Sequence, residues 1–242
     1  MTRPKPSRPS ATRSSSSRKP SDPAWIGCER RPLRAPFSFG RFPSRRPRGS
    51  IGAKGGTMMR AFLALDLPAA VLDAIADLQA ALPTGRLVAP EALHLTLAFL
   101  DEQPAPVLAE VDVAMRGLRA AAFDLELAGV DTFGGRSPDL VFLGVAPNAA
   151  LDHLHRKIMA ALRGLGLELG RVRFRPHVTL ARLPRRIAPR DLDRLAAFLA
   201  THAALHLPGL RVERFTLYRS TLRPEGPIHQ ALADYPLLPQ PG

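Results

Sequence analysis

The chain has 242 residues and a formal net charge of +13, but that charge is concentrated at its start. Residues 1–57 hold 14 of the 34 Lys and Arg residues and two of the 21 acidic residues, so residues 58–242 are nearly neutral. The overall charge is therefore no argument for a nucleic-acid-binding body. The single cysteine, Cys28, excludes a disulfide framework and leaves residues 58–242 without a thiolate nucleophile or metal ligand.

Composition also indicates the cellular compartment of the protein. A body without cysteine fits a reducing compartment. No run of 18 apolar residues is present, so the sequence predicts no membrane-spanning helix. We therefore expect a cytoplasmic protein that makes no membrane contact.

Residues 1–57 are rich in Arg, Ser and Pro, include a Ser run at 14–17, and show no sustained apolar period. Such a segment buries too little apolar surface to offset the entropy of ordering, so we predict that it is disordered. Three interpretations remain open: a basic arm that binds RNA nonspecifically, an organelle transit signal, or an over-extended start upstream of Met58 or Met59. We favour the over-extended start, because the ordered pattern begins directly after these methionines.

From Met59 onward, apolar residues follow the spacings of strands and helices. The predicted strands are residues 60–65, 93–100, 123–130, 140–145, one strand within 172–183, 210–222 (one or two strands) and 228–237 (a last strand or an extended tail). The predicted helices are residues 68–82, 107–118 and 189–200, and one capped by Asn148 that carries Leu151, Leu154, Ile158 and Leu162. Residues 131–138 are predicted as a loop.

The predicted elements repeat in a fixed order: strand, helix, strand with a His-x-Thr motif, helix, strand. In the first copy 33 residues separate Ala61 of the first strand from His94, and in the second copy 37 residues separate Leu140 from His177. Repetition in a fixed order indicates a duplication. We therefore predict that residues 58–242 form one domain of two similar lobes about a pseudo-twofold axis. The two motif strands would then face each other across a central cleft.

The motifs are His94-Leu95-Thr96 and His177-Val178-Thr179. Because side chains alternate along a strand, the His and Thr of each motif are predicted to share one face. The opposite, core-facing side is predicted to carry the apolar residues of both strands: Leu93, Leu95, Leu97, Phe99, Val178 and Leu180.

Two histidines on facing strands suit phosphodiester cleavage. Imidazole titrates near neutrality, so one ring accepts a proton from an attacking water while the other donates a proton to the leaving oxygen. Threonine hydroxyls beside them would stabilise charge on the phosphate oxygens. The alternatives are a solvated sheet face and a metal site; no carboxylate or third ligand accompanies either motif, which disfavours metal. The other histidines are interpreted as surface residues: His153, His155, His202, His206 and His229.

Several stretches extend the pattern beyond the two motifs. They are residues 59–68 (MRAFLALDLP), 94–100 (HLTLAFL), 140–145 (LVFLGV), 174–182 (FRPHVTLAR) and 217–226 (LYRSTLRPEG). Together they resemble the 2H phosphoesterase superfamily, which is named for two His-x-Thr/Ser-x motifs, over residues 59–238. The branch that the chain resembles is the bacterial RNA 2′,3′-cyclic phosphodiesterases, also called 2′-5′ RNA ligases. One departure is Asp101, where family members usually carry Gly, and the turn there is expected to differ.

The resemblance implies an α+β fold of two similar lobes, each an antiparallel sheet with helices packed outside, with the active cleft between them. It implies metal-independent hydrolysis, without a cofactor, of a terminal 2′,3′-cyclic phosphate of RNA to a 2′-phosphomonoester. His94 would be the proton donor and His177 the proton acceptor. Thr96 and Thr179 would bind phosphate. We expect a monomer whose partners are RNA ends or nucleotide 2′,3′-cyclic phosphates.

Two arginines flank the second motif, and plain strand alternation places them on different faces. Arg175 lies two residues from His177 and shares its face, whereas Arg182 lies five residues away and does not. Arg175 is therefore the better candidate for a phosphate contact.

Two alternative functions remain open. A 2′-5′ RNA ligase or a 2′-5′ oligonucleotide phosphodiesterase would use the same site. A noncatalytic RNA-binding module belongs to another class, and it predicts that His94→Ala and His177→Ala leave the phenotype intact.

Overall fold

The computed structural model describes residues 57–135, 137–170, 173–207, 209–224 and 226–239. The segment 1–57 that is predicted to be disordered lies outside these residues, apart from Thr57. The strands are β1 (Met58–Leu65), β2 (Arg86–Leu87), β3 (Leu95–Pro104), β4 (Phe123–Leu125), β5 (Leu127–Phe133), β6 (Leu140–Val145), β7 (His177–Arg182), β8 (Leu210–Val212), β9 (Arg214–Thr221) and β10 (Ile228–Pro236). The helices are α1 (Ala69–Ala80), α2 (Ala105–Arg116), α3 (Ala149–Gly164) and α4 (Pro189–His202).

Eight strands form one antiparallel sheet in the order β10-β9-β1-β3-β7-β6-β5, with β2 added beside β7, while β4 and β8 pair separately. Outward from the junction of β3 and β7, the three strands on one side (β3, β1, β9) correspond to the three on the other (β7, β6, β5), and β10 has no counterpart in this order. Strands β1 and β3 of the first copy match β6 and β7 of the second. Each half is completed by a strand of the other copy, because β9 lies beside β1 and β5 lies beside β6. The predicted α+β class with antiparallel sheet is confirmed, and the division into two lobes stays a prediction.

Strand β3 contains a bulge just after its motif. Thr96 and Ala98 pair with consecutive residues of β1, so Leu97 is an extra residue in the ladder. A bulge reverses the alternation of faces beyond it. The prediction that Phe99 shares the core face is therefore wrong: Phe99 is 44% exposed, whereas Ala98 is buried.

Strand β7 contains a bulge at the equivalent position. Thr179 and Ala181 pair with consecutive residues of β6, so Leu180 is the extra residue. In both strands the extra leucine is the third residue after the motif histidine. The two strands therefore share a local irregularity as well as a sequence motif.

Buried apolar side chains from all four helices and from both halves of the sheet form one contiguous core. The start of helix α3 is set by a side-chain cap. Oδ1 of Asn148 accepts a hydrogen bond of 2.9 Å from the backbone N–H of Leu151, as predicted. The apolar residues predicted for this helix are all buried.

No helix within the described ranges is both long enough and apolar enough to cross a membrane.

Several boundaries differ from prediction because backbone pairing sets them. The strand predicted over 123–130 divides at Glu126 into β4 and β5, which belong to different sheets. The loop predicted over 131–138 is wrong at its start, because β5 continues to Phe133 and pairs there with Leu140. Residues 210–222 form two strands, and the second motif strand lies within 172–183 as predicted, whereas the first begins later than predicted, at Leu95.

Candidate active site

The two motif histidines lie at the junction of β3 and β7. These strands pair at Leu95 and Val178, the residues that directly follow His94 and His177. His177 opens β7, and His94 lies one residue before β3. Antiparallel pairing thus brings together two histidines that are 83 residues apart in sequence. They are close enough that the charge of His177 contributes to lowering the pKa of His94.

Each imidazole is held by the main chain two residues before it. Nδ1 of His177 lies 2.7 Å from the carbonyl oxygen of Arg175. The His94 ring hydrogen-bonds the main chain of Ala92. A ring nitrogen that donates to a carbonyl fixes the tautomer and the ring orientation. In His177 this leaves Nε2 for proton transfer.

Aromatic rings pack against both histidines. Phe62 stacks on His94, with ring centroids 4.7 Å apart. Phe133 and Phe142 stack on each other at 4.2 Å and contact His177 edge-on, at centroid distances of 4.9 and 5.5 Å. These contacts limit the rotation of both imidazoles and shield them from water.

Burial favours the neutral form of both histidines. Burial first, and then the charge of His229, lower the pKa of His94 to about 4, while the hydrogen bond to Ala92 opposes the shift. Burial also lowers the pKa of His177, and the hydrogen bond to the Arg175 main chain opposes that shift. Both rings are therefore neutral at pH 7 in the ligand-free chain. A bound anion would favour their protonated forms.

The two motif threonines are half-buried beside the histidines. Thr179 lies two residues after His177, before the bulge, and therefore shares its face. It pairs across the ladder with Phe142, whose ring contacts His177. Neither the Thr96 nor the Thr179 hydroxyl hydrogen-bonds another described residue. Both hydroxyls are available to a ligand.

Arg175 and Arg182 both lie on the histidine side. The Arg175 guanidinium sits over the Phe133 ring, 4.8 Å from its centroid. The prediction that Arg182 falls on the other face is wrong. Arg182 pairs with Leu140 and Thr179 pairs with Phe142, two residues further along β6, so both β7 residues share one face. The bulge at Leu180 causes this, and uninterrupted alternation does not reveal it.

The interpretation of His229 as a surface residue is wrong. Its ring, on β10, lies edge-on to His94 at a centroid distance of 5.2 Å and edge-on to Phe62 at 4.9 Å. Its Nδ1 is buried and has no hydrogen-bond partner in the described part of the chain. No local sequence signal marks this contact, because it depends on the order β10-β9-β1-β3 in the sheet.

The other histidines lie outside this constellation. His153 and His206 are exposed, as predicted, whereas His155 is half-buried and stacks on Phe174 at 3.8 Å. Across the described residues, no group of three or more His, Cys, Asp or Glu side chains is arranged to hold a metal ion. Metal independence stays a prediction.

A comparison with protein families also identifies residues that include the paired motifs. The model described as the 2′-5′ RNA ligase superfamily matches residues 66–223, which include both motifs. The chain belongs to the 2′-5′ RNA ligase superfamily. The resemblance inferred from the motif residues is therefore confirmed.

Two curated relatives carry the name RNA 2′,3′-cyclic phosphodiesterase. The one from Geobacillus stearothermophilus is 34% identical over 187 residues, which cover 74% of this chain and 58% of that relative. The one from Aeropyrum pernix is 30% identical over 151 residues, which cover 62% of this chain and 84% of that relative. The chain therefore spans less than two thirds of the Geobacillus protein.

Solved structures of E. coli LigT share the fold. The apo form and the complex with 3′-AMP are each 27% identical to this chain, with a TM-score of 0.62. The match covers 75% of this chain and 98% or 99% of LigT.

One departure from this superfamily's usual pattern now has a structural context. Asp101, where members usually carry Gly, adopts a φ of 59°. This left-handed conformation favours glycine, and aspartate is among the residues that tolerate it. Asp101 follows Leu100, the extra residue of a second bulge in β3. The substitution is thus compatible with the backbone that a glycine would adopt.

Proposed function

We propose that this protein hydrolyses the terminal 2′,3′-cyclic phosphate of RNA to a 2′-phosphomonoester, with His94 as proton donor and His177 as proton acceptor. The observation that carries the proposal is the convergence of two imidazoles, each held by the main chain, at the Leu95–Val178 pair. The name of the two relatives and the 3′-AMP complex of LigT support it. The reaction needs no metal and no cofactor.

In the proposed reaction, Nε2 of neutral His177 takes a proton from a water as its oxygen attacks phosphorus. The bond from phosphorus to the 3′ oxygen breaks, and His94 gives that oxygen a proton. Water is added across one ester bond, which leaves a 2′-phosphate and a 3′-hydroxyl. Attack and departure occur on opposite sides of phosphorus, so the two rings have to act from opposite sides of the substrate.

The donor role requires a protonated His94, although its pKa is about 4 in the ligand-free chain. A phosphodiester anion beside the ring would stabilise the imidazolium and raise this pKa. The proton on His94 would thus be taken up together with the substrate. The opposite assignment, with His94 as acceptor, predicts that the ring stays neutral when phosphate binds.

The remaining contacts to phosphate come from hydroxyl and guanidinium groups. Thr96 and Thr179 donate hydrogen bonds to the non-bridging oxygens, where charge grows in the transition state. Arg175 is held beside His177 by its contact with Phe133 and adds positive charge. Arg182 joins Arg175 as a phosphate ligand, since the bulge in β7 turns it to the histidine face.

The test is hydrolysis of a nucleoside 2′,3′-cyclic phosphate in EDTA, with the product identified by phosphorus NMR. Wild type and the exposed-histidine control His153→Ala should both release a 2′-phosphate, and His177→Ala should release none above background. A 3′-phosphate would keep the histidine chemistry and reverse which oxygen leaves. Activity that disappears in EDTA and returns with a divalent metal contradicts the metal-free reaction.

The alternatives are separated by substrate. A 2′-5′ ligase would join a cyclic phosphate end to a hydroxyl end, and a 2′-5′ oligonucleotide phosphodiesterase would cleave internal 2′-5′ links. Both would depend on His94 and His177. No turnover of the cyclic nucleotide or of an RNA oligomer ending in the cyclic phosphate would favour a noncatalytic RNA-binding module.

A further inference from the structure

Arg86 and Arg182 are neighbouring positive charges on the strands beside the histidine pair. Arg86 of β2 is directly opposite Arg182 in the ladder with β7, so both side chains leave the same face, with Cβ atoms about 5 Å apart. Like charges at directly opposed positions destabilise a sheet. Arg60 adds a third positive group on the histidine face, because it lies two residues before Phe62 in a regular part of β1, and the Phe62 ring stacks on His94. After partial burial, the charges of Arg86 and Arg60 lower the pKa of Arg182.

Protein carboxylates do not neutralise this cluster. Asp139 opposes the shift in the pKa of Arg182, but no ion pair joins the two within 4.0 Å. Glu102 lies opposite Arg60 in the ladder of β1 and β3, and again no ion pair forms. Among the described residues, the three guanidinium groups therefore have no acidic partner in contact. An anion from outside would relieve their repulsion.

Local structure fixes Arg86 in this unfavourable position. Strand β2 has only two residues, both exposed, so core packing does not explain its pairing with β7. The buried amide of Gln79 donates to the carbonyl of Leu180 in β7 and to that of the residue after β2. Gly85, with a φ of 111°, precedes Arg86, and a Cβ there would lie 3.2 Å from the Arg182 carbonyl oxygen. Only a backbone without a side chain fits comfortably so close to β7.

We propose that Arg86 and Arg60 form a subsite for the backbone phosphate upstream of the terminal cyclic phosphate, so that RNA strand ends are preferred to free cyclic mononucleotides. This rests on the proposed function, because the histidine pair defines where the terminal phosphate lies. The planar guanidinium group binds phosphate through two parallel hydrogen bonds. An RNA strand supplies a second phosphate beside the terminal one, whereas a cyclic mononucleotide has none.

The test compares kcat/KM for a cyclic mononucleotide with kcat/KM for a short RNA that ends in the cyclic phosphate. The variants are Arg86→Gln, Arg60→Gln and the control Arg190→Gln, which removes the same charge from the exposed start of α4. Arg86→Gln and Arg60→Gln should each lower the value for RNA about tenfold more than the value for the mononucleotide. Each should also flatten the dependence of log KM for RNA on log salt by about 0.7. Arg190→Gln should change neither quantity.

The outcomes separate this inference from the proposed function. Turnover of both substrates with an unchanged ratio in Arg86→Gln and Arg60→Gln overturns the subsite and leaves the proposed function standing. Failure of wild type on both substrates overturns the proposed function, and this inference with it.

Thermal melting and a second variant distinguish binding from folding. Because Arg86→Gln removes a repulsion, its Tm should equal or exceed that of wild type. Arg86→Lys keeps the charge without the planar fork, so it should keep the salt dependence and lose part of the preference for RNA. A lowered Tm in both variants, with equal losses on both substrates, would show a structural role and overturn the subsite.

Discussion

The side-chain amide of Gln79 donates a hydrogen bond of 2.8 Å to the carbonyl oxygen of Leu180. This contact ties helix α1 to the bulge of β7. The same amide donates to the carbonyl of Val88 at 2.9 Å, and only 7% of Gln79 is exposed. A buried polar side chain in an otherwise apolar helix face is explained by the two carbonyls that it satisfies. The bulge that it supports is the feature that turns Arg182 towards His177.

Gln79→Met should lower the free energy of unfolding by about 1–3 kcal/mol, because the carbonyl of Val88 loses this donor in a buried place and the carbonyl of Leu180 retains only the backbone N–H of Val88 among the described residues. Urea denaturation measures this change. The matched control is Gln230→Met on the exposed side of β10, which should stay within about 0.5 kcal/mol of wild type. Equal stabilities for the two variants would contradict a role for Gln79 in holding the bulge.

Periodicity was sufficient to locate most elements and the histidine pair. The spacing of Leu151, Leu154, Ile158 and Leu162 predicted a buried helical face, and the structure buries all four. In a helix such as α3, the spacing within one element decides which residues are buried. The repetition of strand and motif order likewise indicated that the two His-x-Thr segments belong together.

The wrong predictions for Phe99, Arg182 and His229 share one physical cause. Each position depends on which strands are neighbours in the sheet. A bulge is defined by the partner strand, so the faces of Phe99 and Arg182 do not follow from their own sequence. His229 lies 135 residues after His94, and only the order β10-β9-β1-β3 brings their rings together. Both the bulge-dependent faces and the His94–His229 contact follow only from the strand pairing.

His94→Ala and His177→Ala should each lower kcat by about 10²–10⁴-fold. The pH profile separates their roles. The acceptor has to be neutral in the substrate complex, so protonation of His177 sets the acid limb of kcat, and burial, which lowers the pKa of His177, moves that limb to lower pH. Loss of the donor proton sets the basic limb. His177→Ala should therefore flatten the acid limb and His94→Ala the basic limb, as measured across pH with a cyclic nucleotide.

The control for these profiles is His153→Ala, which removes an exposed histidine of α3 and should keep both limbs. Both limbs persisting in His94→Ala and in His177→Ala would contradict acid–base roles for the pair. Exchange of the two effects would reverse the assignment of donor and acceptor.

Phosphate binding should raise the pKa of His94 from its ligand-free value of about 4, because a nearby anion stabilises the imidazolium. NMR titration of the imidazole resonances, with and without inorganic phosphate, measures the change. The exposed His153 serves as the internal control, and phosphate should leave its resonances unchanged. A His94 pKa that does not move with saturating phosphate would contradict the donor role.

His229→Phe should raise the pKa of His94, since the charge of His229 is the largest electrostatic cause of its lowering after burial. The phenyl ring keeps the edge-on packing against Phe62, so the burial of His94 is retained and the pKa of His94 stays below 6.5.

His229→Phe also removes a buried Nδ1 without a partner among the described residues, which should add about 1 kcal/mol to the free energy of unfolding. NMR titration and urea denaturation measure the two effects, with the exposed His206→Phe as control. If the pKa of His94 stays at about 4 in His229→Phe, burial alone sets it, and the third histidine is a packing residue without electrostatic effect on the site.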